Sequence, residues 1–416
     1  MAMSVFYGWK IGTLCLGGNF LLQGAAIYGM NAFMEPLCEI NGWTRAALNV
    51  SLGIAAFFGQ ASMPIAAAVS SRFSLRALMA LGAMAGGLAT CAMGFSSDLT
   101  WFTLFLIILW IASQFCGGVV ANALISNWFS HYRGLAFGLA NSGSSLSGMV
   151  LPFCCLVMIQ YFGLRPAYLT LGILACLLAI PCVWIVRRTP QMLHLHPDGD
   201  KTDPPQANKV PTNTSLKALA RRPAAWYIGL SFGLALMVGA GVLSQLKPRF
   251  SDMGLDAYTA IMLASVAAFS GTASKYVWGW LCDKTNPLIA ARTLMLTSFL
   301  SLLLVFLPPS LWFMAIYAVV FSGCLGGLWV VLPAVTAWYF GSASFLGVYK
   351  FIAIFILVRC LGFPVMGLSY ELWGNYALAD IIFGASLLVS FILTMLLHGN
   401  RAVENDQSIN DQSIKD

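Results

Sequence analysis

Ile54-Ala55-Ala56-Phe57-Phe58-Gly59-Gln60-Ala61-Ser62 returns 212 residues later as Val266-Ala267-Ala268-Phe269-Ser270-Gly271-Thr272-Ala273-Ser274. The same shift lays Pro36 on Pro248, Gly42 on Gly254 and Pro152 on Pro364. A single register kept over that distance marks an internal duplication, and the unit being duplicated decides the fold.

That unit is apolar almost throughout. Of 416 residues, 59% are apolar and 9% charged, with a mean hydropathy of +0.81, whereas soluble domains carry about 25% charged residues. A helix crossing a bilayer needs about 20 mostly apolar residues, because without water each backbone N–H and C=O must be satisfied inside the segment. Twelve stretches qualify, near 11–33, 46–70, 75–95, 99–126, 134–160, 166–186, 224–246, 257–281, 289–309, 311–338, 346–370 and 376–398. The first is expected to stay as a span, since Asn19, Gln23 and Asn31 interrupt it and no small-residue cleavage site follows.

The long polar interruption, rich in Pro, Asp, Asn, Thr and Lys, divides six spans from six. The expected organisation is a six-helix bundle over 1–186, a cytoplasmic central loop over 187–223, a second six-helix bundle over 224–398 and a disordered cytoplasmic tail over 399–416. The tail repeats Asn405-Asp406-Gln407-Ser408-Ile409 as Asn410-Asp411-Gln412-Ser413-Ile414. Six spans return the chain to its starting side, so the two bundles run parallel, related by an axis along the membrane normal, with a site between them. The reading is an all-α membrane protein with twelve transmembrane helices.

Net charge of +7 invites a nucleic-acid partner, but the cations alternate between loops instead of forming one patch. With the N-terminus inside, 16 of the 22 Lys and Arg fall on the cytoplasmic side and four outside, Arg45, Arg165, Lys247 and Arg249. This asymmetry predicts a multi-pass protein of the inner (plasma) membrane with both termini cytoplasmic and no nucleic-acid partner. The eleven cysteines lie mainly in spans without C-x-x-C spacing and read as apolar packers. His194 and His196 read as solvated loop residues rather than metal ligands. No nucleophile triad, phosphate loop or zinc spacing is present, so neither an enzyme nor a cofactor or metal is expected.

Two motifs carry a resemblance. Gly279-Trp280-Leu281-Cys282-Asp283-Lys284 resembles the G-x-x-x-D-[RK] loop motif of the major facilitator superfamily, and the first half keeps only Ala67, Ser71 and Arg72 at its matching places, with Arg76 beyond. Asn127-Trp128-Phe129, Arg133-Gly134-Leu135-Ala136-Phe137-Gly138 and Ser142-Gly143-Ser144-Ser145 resemble the W-F-x-x-x-R-G-x-A-x-G-x-x-x-[SA]-G pattern of monocarboxylate transporters and oxalate/formate antiporters, as does the opening Phe6-Tyr7-Gly8-Trp9. Both together imply the major facilitator fold, with Gly279, Asp283, Lys284, Arg72, Arg76 and Arg133 as gating and loop-motif residues. In the first half, lacking the acid, a clasp should be weaker. The glycines and serines of the fifth span let two helices approach closely, which serves sliding contacts and plain packing alike.

Lys275 lies two turns before Asp283, roughly 12 Å deeper along a helix. A cation there costs about 2.5–3.5 kcal/mol on insertion scales and normally faces a cavity. The antiporters place a carboxylate-binding arginine in R-P-x-W-G-x-x-x-D-K, which Lys275-Tyr276-Val277-Trp278-Gly279 resembles, with Lys for Arg and Tyr for Pro. Where the animal transporters carry an acid, this chain has Gly271, which removes an acid–arginine proton pair. Arg359, in the eleventh span, is the second cation, and the acids all fall at span ends or loops. The interior is therefore expected to be net positive, with the missing negative charge supplied by cargo. Tyr28, Asn31, Asn122 and Gln245 join Lys275 and Arg359 as substrate-binding candidates, and Asn19, Gln23, Gln114 and Asn141 as further polar wall residues.

The function expected is alternating-access transport of a small mono- or dicarboxylate by a monomer in the bilayer, with a proton or counter-anion as coupling partner. Export of amphipathic drugs or metabolites, and a membrane sensor that binds without moving its ligand, are the alternatives.

Overall fold

The computed structural model describes residues 6–200, 215–244, 246, 249, 254, 257–307 and 310–397, with side chains excepted at 28–32, 46, 244, 257, 258, 260, 261 and 264. The middle of the central loop, the tail with its pentad repeat, and Gln245 lie outside the described residues, as do the side chains of Tyr28 and Asn31.

Among the described residues twelve long helical rods run through the molecule, and no strand occurs. The first, α1, begins as Tyr7–Gly18, passes through wider turns at Asn19–Gln23 and Ala25–Gly29, and ends as Met30–Asn41. Then follow α2 (Arg45–Ala61, Met63–Arg72), α3 (Leu75–Met93), α4 (Leu99–Cys116, Gly118–Trp128), α5 (Arg133–Phe162) and α6 (Leu164–Leu177, Ala179–Ile185). The second set is α7 (Pro223–Ser244), α8 (Ala257–Lys284), α9 (Pro287–Leu303 with the tight turn Leu304–Phe306), α10 (Leu311–Phe340), α11 (Phe345–Ile356, the tight turn Leu357–Leu361, Gly362–Trp373) and α12 (Ala377–Met395). Ten of these rods are individually long and apolar enough to cross a bilayer, and α1 and α8 complete the twelve.

The 212-residue register of the sequence is also the register of the helices. Arg45, Leu75, Leu99 and Arg133 open α2 to α5, and Ala257, Pro287, Leu311 and Phe345, each 212 further on, open α8 to α11. Packing repeats too: α1 lies on α5 as α7 lies on α11, α2 on α4 as α8 on α10, and α3 on α6 as α9 on α12.

Large apolar side chains coat the outside, with Trp312 79%, Trp184 75% and Phe153 70% exposed, while Asn19 and Ser231 are 0% exposed. That inversion of the soluble pattern is what lipid as solvent requires. Asn19 shows how a polar group is held inside. Its amide donates to Ala140 O at 2.8 Å in α5, and its oxygen accepts from Gly118 N at 3.2 Å, where Gly117 breaks α4 with φ −106° and ψ −112°. Leucine at position 19 would strand both groups, and a loss of about 2 kcal/mol is expected. Thermal unfolding of Asn19→Leu in detergent, followed by tryptophan fluorescence, measures it.

The halves meet along two seams, α5 against α8 and α2 against α11. The N-terminal end of α5 and the C-terminal end of α8 meet on the face that also carries the 186–200 segment, here called the connection face. At that end the backbones nearly touch. A Cβ on Gly134 would fall on Gly279 O, one on Gly279 on Gly134 O, and one on Gly138 on Lys275 O. Glycine is what permits this approach.

Candidate functional site

Lys275 sits in the α5–α8 seam and is 3% exposed. Its ammonium donates to Asn141 O at 2.7 Å, Ser145 Oγ at 2.7 Å and Ser144 Oγ at 3.3 Å, all in α5 of the opposite half. All three acceptors are neutral oxygens. The serines that read as packing residues in the sequence therefore serve the cation, and Lys275 is held more closely by protein than a lysine facing an open cavity would be.

A polar chain continues from there. Asn141 donates to Asn122 Oδ1 at 3.1 Å and to Phe137 O at 3.0 Å, and the Tyr349 phenol of α11 lies near the Asn122 side chain. Asn122 is 3% and Tyr349 1% exposed. Next to Lys275, the Tyr276 hydroxyl meets Ser142 Oγ at 2.7 Å. Lysine and asparagines from α8, α5 and α4 thus form one buried network across both halves, with Tyr349 of α11 beside it.

Arg359 lies in the tight turn of α11, which packs on α7 and on the first part of α2, and its guanidinium lies over the Trp329 ring at 5.7 Å. The two cations so occupy the two seams, Lys275 in α5–α8 and Arg359 in α2–α11. Of the remaining substrate-binding candidates, Asn122 is in the network, whereas the side chains of Tyr28 and Asn31 and all of Gln245 lie outside the described residues. Gln114 of α4 is 1% exposed, and its Oε1 has no hydrogen-bond partner among the described residues.

On the connection face, Asp283 accepts from Gly134 N at 2.5 Å and Leu135 N at 2.7 Å, capping α5 of the other half. A carboxylate on a helix N-terminus takes charge-assisted bonds and meets the positive end of the helix dipole. Arg133 is buried beside it and donates to Phe129 O at 2.9 Å and Ser126 O at 3.4 Å. Lys284 instead covers the Trp280 ring of its own helix at 4.6 Å. In the first half Arg72 is exposed, and Arg76 donates to Val186 O at 3.0 Å within its own bundle. The clasp between the halves is therefore asymmetric, with its acid on one side.

One reading of the sequence is corrected. The interior was expected to hold no acid, with Arg249 in an outer loop and Asp380 at a span end. Both side chains are 3% exposed and form a two-pronged ion pair, with Arg249 Nη1 2.9 Å from Asp380 Oδ1 and Nη2 bonding Oδ2. Sequence position places Asp380 in the first turn of α12, but only packing shows that Arg249 reaches it. Charge there is compensated, and Arg133, although bonded to backbone oxygens, has the Asp198 and Asp283 carboxylates nearby, whereas the hydrogen bonds of Lys275 among the described residues end on neutral oxygens of α5.

The opening aromatics and the Trp-Phe pair, far apart in sequence, form one cluster. Phe6 packs on Trp128 at 5.9 Å and Phe129 at 5.7 Å, Tyr7 on Trp128 at 5.4 Å and Trp9 on Phe129 at 4.9 Å. Trp128 Nε1 donates to Arg187 O at 2.8 Å, and Tyr7 donates to Ile185 O at 2.8 Å.

The sequence model of the Major Facilitator Superfamily matches residues 16–357, most of the chain. This chain belongs to the Major Facilitator Superfamily. Monocarboxylate transporter 11 of Homo sapiens is 31% identical over 284 residues, covering 67% of this chain and 57% of that protein. Membrane sensor protein UhpC of Salmonella typhimurium is 27% identical over 229 residues, 52% of this chain and 51% of that protein. The chain spans little more than half the length of these curated relatives. The crystal structure of FucP, a superfamily transporter in the outward conformation, aligns with a TM-score of 0.69 over 94% of this chain and 99% of that one, at 16% identity, a likeness of fold.

Within this Major Facilitator protein, three groups of residues escaped the sequence reading. Ser144 and Ser145 were legible only as small residues, and Tyr349 lies in an apolar helix with nothing to single it out. Asp198 sat in a polar run that read as loop, yet its carboxylate accepts from Ser130 N at 2.8 Å, His131 N at 2.7 Å and Tyr132 N at 3.4 Å.

Proposed function

We propose that this Major Facilitator protein carries a small mono- or dicarboxylate across the inner (plasma) membrane by alternating access between its halves, with both termini cytoplasmic. The reading rests on one observation: a lysine buried in the seam between the halves whose ammonium is hydrogen-bonded only to neutral oxygens. Neutral oxygens satisfy the N–H groups but leave the charge uncompensated, and an anion entering the seam supplies what they lack. The network through Asn141 and Asn122 ties that lysine to α5 and α4 of the other half, so exchanging α5 oxygens for a carboxylate loosens both halves at once. Arg359 in the other seam is the second attraction for a dicarboxylate. In the state described, the connection face is closed by Asp283 and the glycine contacts, and cargo enters from the opposite face.

Purified protein in liposomes, given radiolabelled mono- and dicarboxylates with and without a pH gradient, tests this. Saturable uptake of at least one acid, accelerated by acid trapped inside or by the gradient, is expected, and the pattern separates counter-anion from proton coupling. A panel of acids that neither enters nor competes would refute it. The likeness to UhpC favours a second reading, a sensor that binds an anion without moving it. Saturable binding without flux in the same liposomes is its signature.

A further inference from the structure

Five of the six backbone N–H groups between Ser130 and Leu135 donate to only two carboxylates. Asp283, from the second half, takes Gly134 and Leu135, while Asp198 takes Ser130, His131 and Tyr132. The buried Arg133 guanidinium is attracted to both acids. Of the two, only Asp283 sits on the half that must move away if access alternates.

Asp198 travels with the first half. It stands in the short turn Pro197–Gly199 with φ 60°, a left-handed conformation that Asp, Asn and Gly tolerate best. The stretch before it is pinned to the same bundle by Trp128 Nε1 on Arg187 O at 2.8 Å and Asn127 Nδ2 on Arg188 O at 3.1 Å, and a Cβ on Gly199 would touch the Phe6 ring. Three N–H groups converging on one carboxylate fix the loop's path.

We propose that Asp198 is a positioning residue for the gate, holding the α4–α5 loop in the shape that presents the Gly134 and Leu135 N–H groups to Asp283 each time the connection face closes. The role rests on the alternating-access reading. Without the Asp198 carboxylate, the loop must reorder at each closure, so the closed state loses population whatever the cargo.

Cys282 is a built-in reporter. It is 3% exposed beside Asp283, and a Cβ on Gly134 would press on its Cβ. Its rate of alkylation by N-ethylmaleimide, located by peptide mass, follows gate opening without any transported substrate. Asp198→Gly keeps the turn and removes the carboxylate, and Asp198→Asn keeps the turn with one acceptor. Expected is a rise in Cys282 labelling of about tenfold for Asp198→Gly and less for Asp198→Asn, the scale of losing one charge-assisted contact. Cys15, Cys116, Cys182 and Cys324, buried away from the gate, stay unlabelled. In an Asp283→Asn background the Asp198 change adds nothing further, since Asp198 acts through that clasp. Wild-type labelling in Asp198→Gly overturns the proposal, as does an equal rise at all buried cysteines in Asp198→Asn, which would mean plain unfolding. Because the readout needs no cargo, a failed uptake panel leaves this result standing, and a failed labelling result leaves the uptake reading untouched.

Discussion

Replacing Lys275 by Gln is expected to lower carboxylate uptake by on the order of 100-fold while leaving the protein folded and at least as heat-stable. A contact between an ammonium and a carboxylate in a water-poor seam is worth up to about 3 kcal/mol, which sets the scale of the lost transport. Stability should move the other way. Glutamine still offers N–H groups toward Asn141 O and the serine hydroxyls, and it removes a buried charge whose present partners are all neutral. Taking away such a charge is neutral or stabilising. Lys275→Arg keeps the charge and should keep part of the uptake, with a changed preference among acids because the planar fork favours two-pronged binding. Uptake and thermal unfolding measured on the same preparations decide the matter. Wild-type kinetics in Lys275→Gln would remove the cation from the transport path, and a collapse of thermal stability would show that it is a structural post.

The fold was legible because lipid leaves few options. Length and apolarity of each stretch fix helices, and the duplication of Ile54–Ser62 at Val266–Ser274 fixes their parallel pairing, so helix starts 212 residues apart emerge from both sequence and structure. The turns inside α1 and the break at Gly117 in α4 were not legible. They depend on Asn19 reaching two other helices, a long-range contact that no local pattern announces.

The site was legible in its charges and opaque in their partners. Lys275 stands out because a cation in an apolar helix is costly, and Asp283 because a glycine and a basic residue flank it at a recurring spacing. That Ser144 and Ser145 receive the ammonium depends on the rotation of α5 against α8, and serine in a membrane helix reads equally as a small packing residue. Arg249 and Asp380 show the opposite failure. Arg249 looked like a loop charge and Asp380 like a span-end acid, 131 positions apart, and the chain buries them together. Counting acids by their place along a span therefore overestimated how positive the whole interior is, while the narrower region around Lys275 does lack a described carboxylate partner.

Gly279→Val should stop transport almost completely by a different route, through shape rather than charge. A Cβ at position 279 would fall against Gly134 O and Leu135 Cα, backbone atoms that cannot swing aside as a side-chain tip can. Closing the connection face then requires α5 and α8 to stand apart, and the Asp283 bonds to Gly134 N and Leu135 N, at 2.5 and 2.7 Å, stretch beyond hydrogen-bonding range. Two charge-assisted bonds and the helix contact are lost together, on the order of 4 kcal/mol, about a thousandfold in the closed-to-open ratio. Spin labels on Tyr132 and Thr285, exposed on opposite sides of the clasp, should report a longer and broader distance in Gly279→Val than in the parent. Gly279→Ala, with a single methyl to accommodate, should fall between. Anion binding measured without flux should survive, since Lys275 lies one turn deeper, and that separates an arrested cycle from a damaged site. A valine variant that cycles normally and keeps the parent distance would mean that the α5–α8 glycine contact is ordinary packing and that the halves part elsewhere.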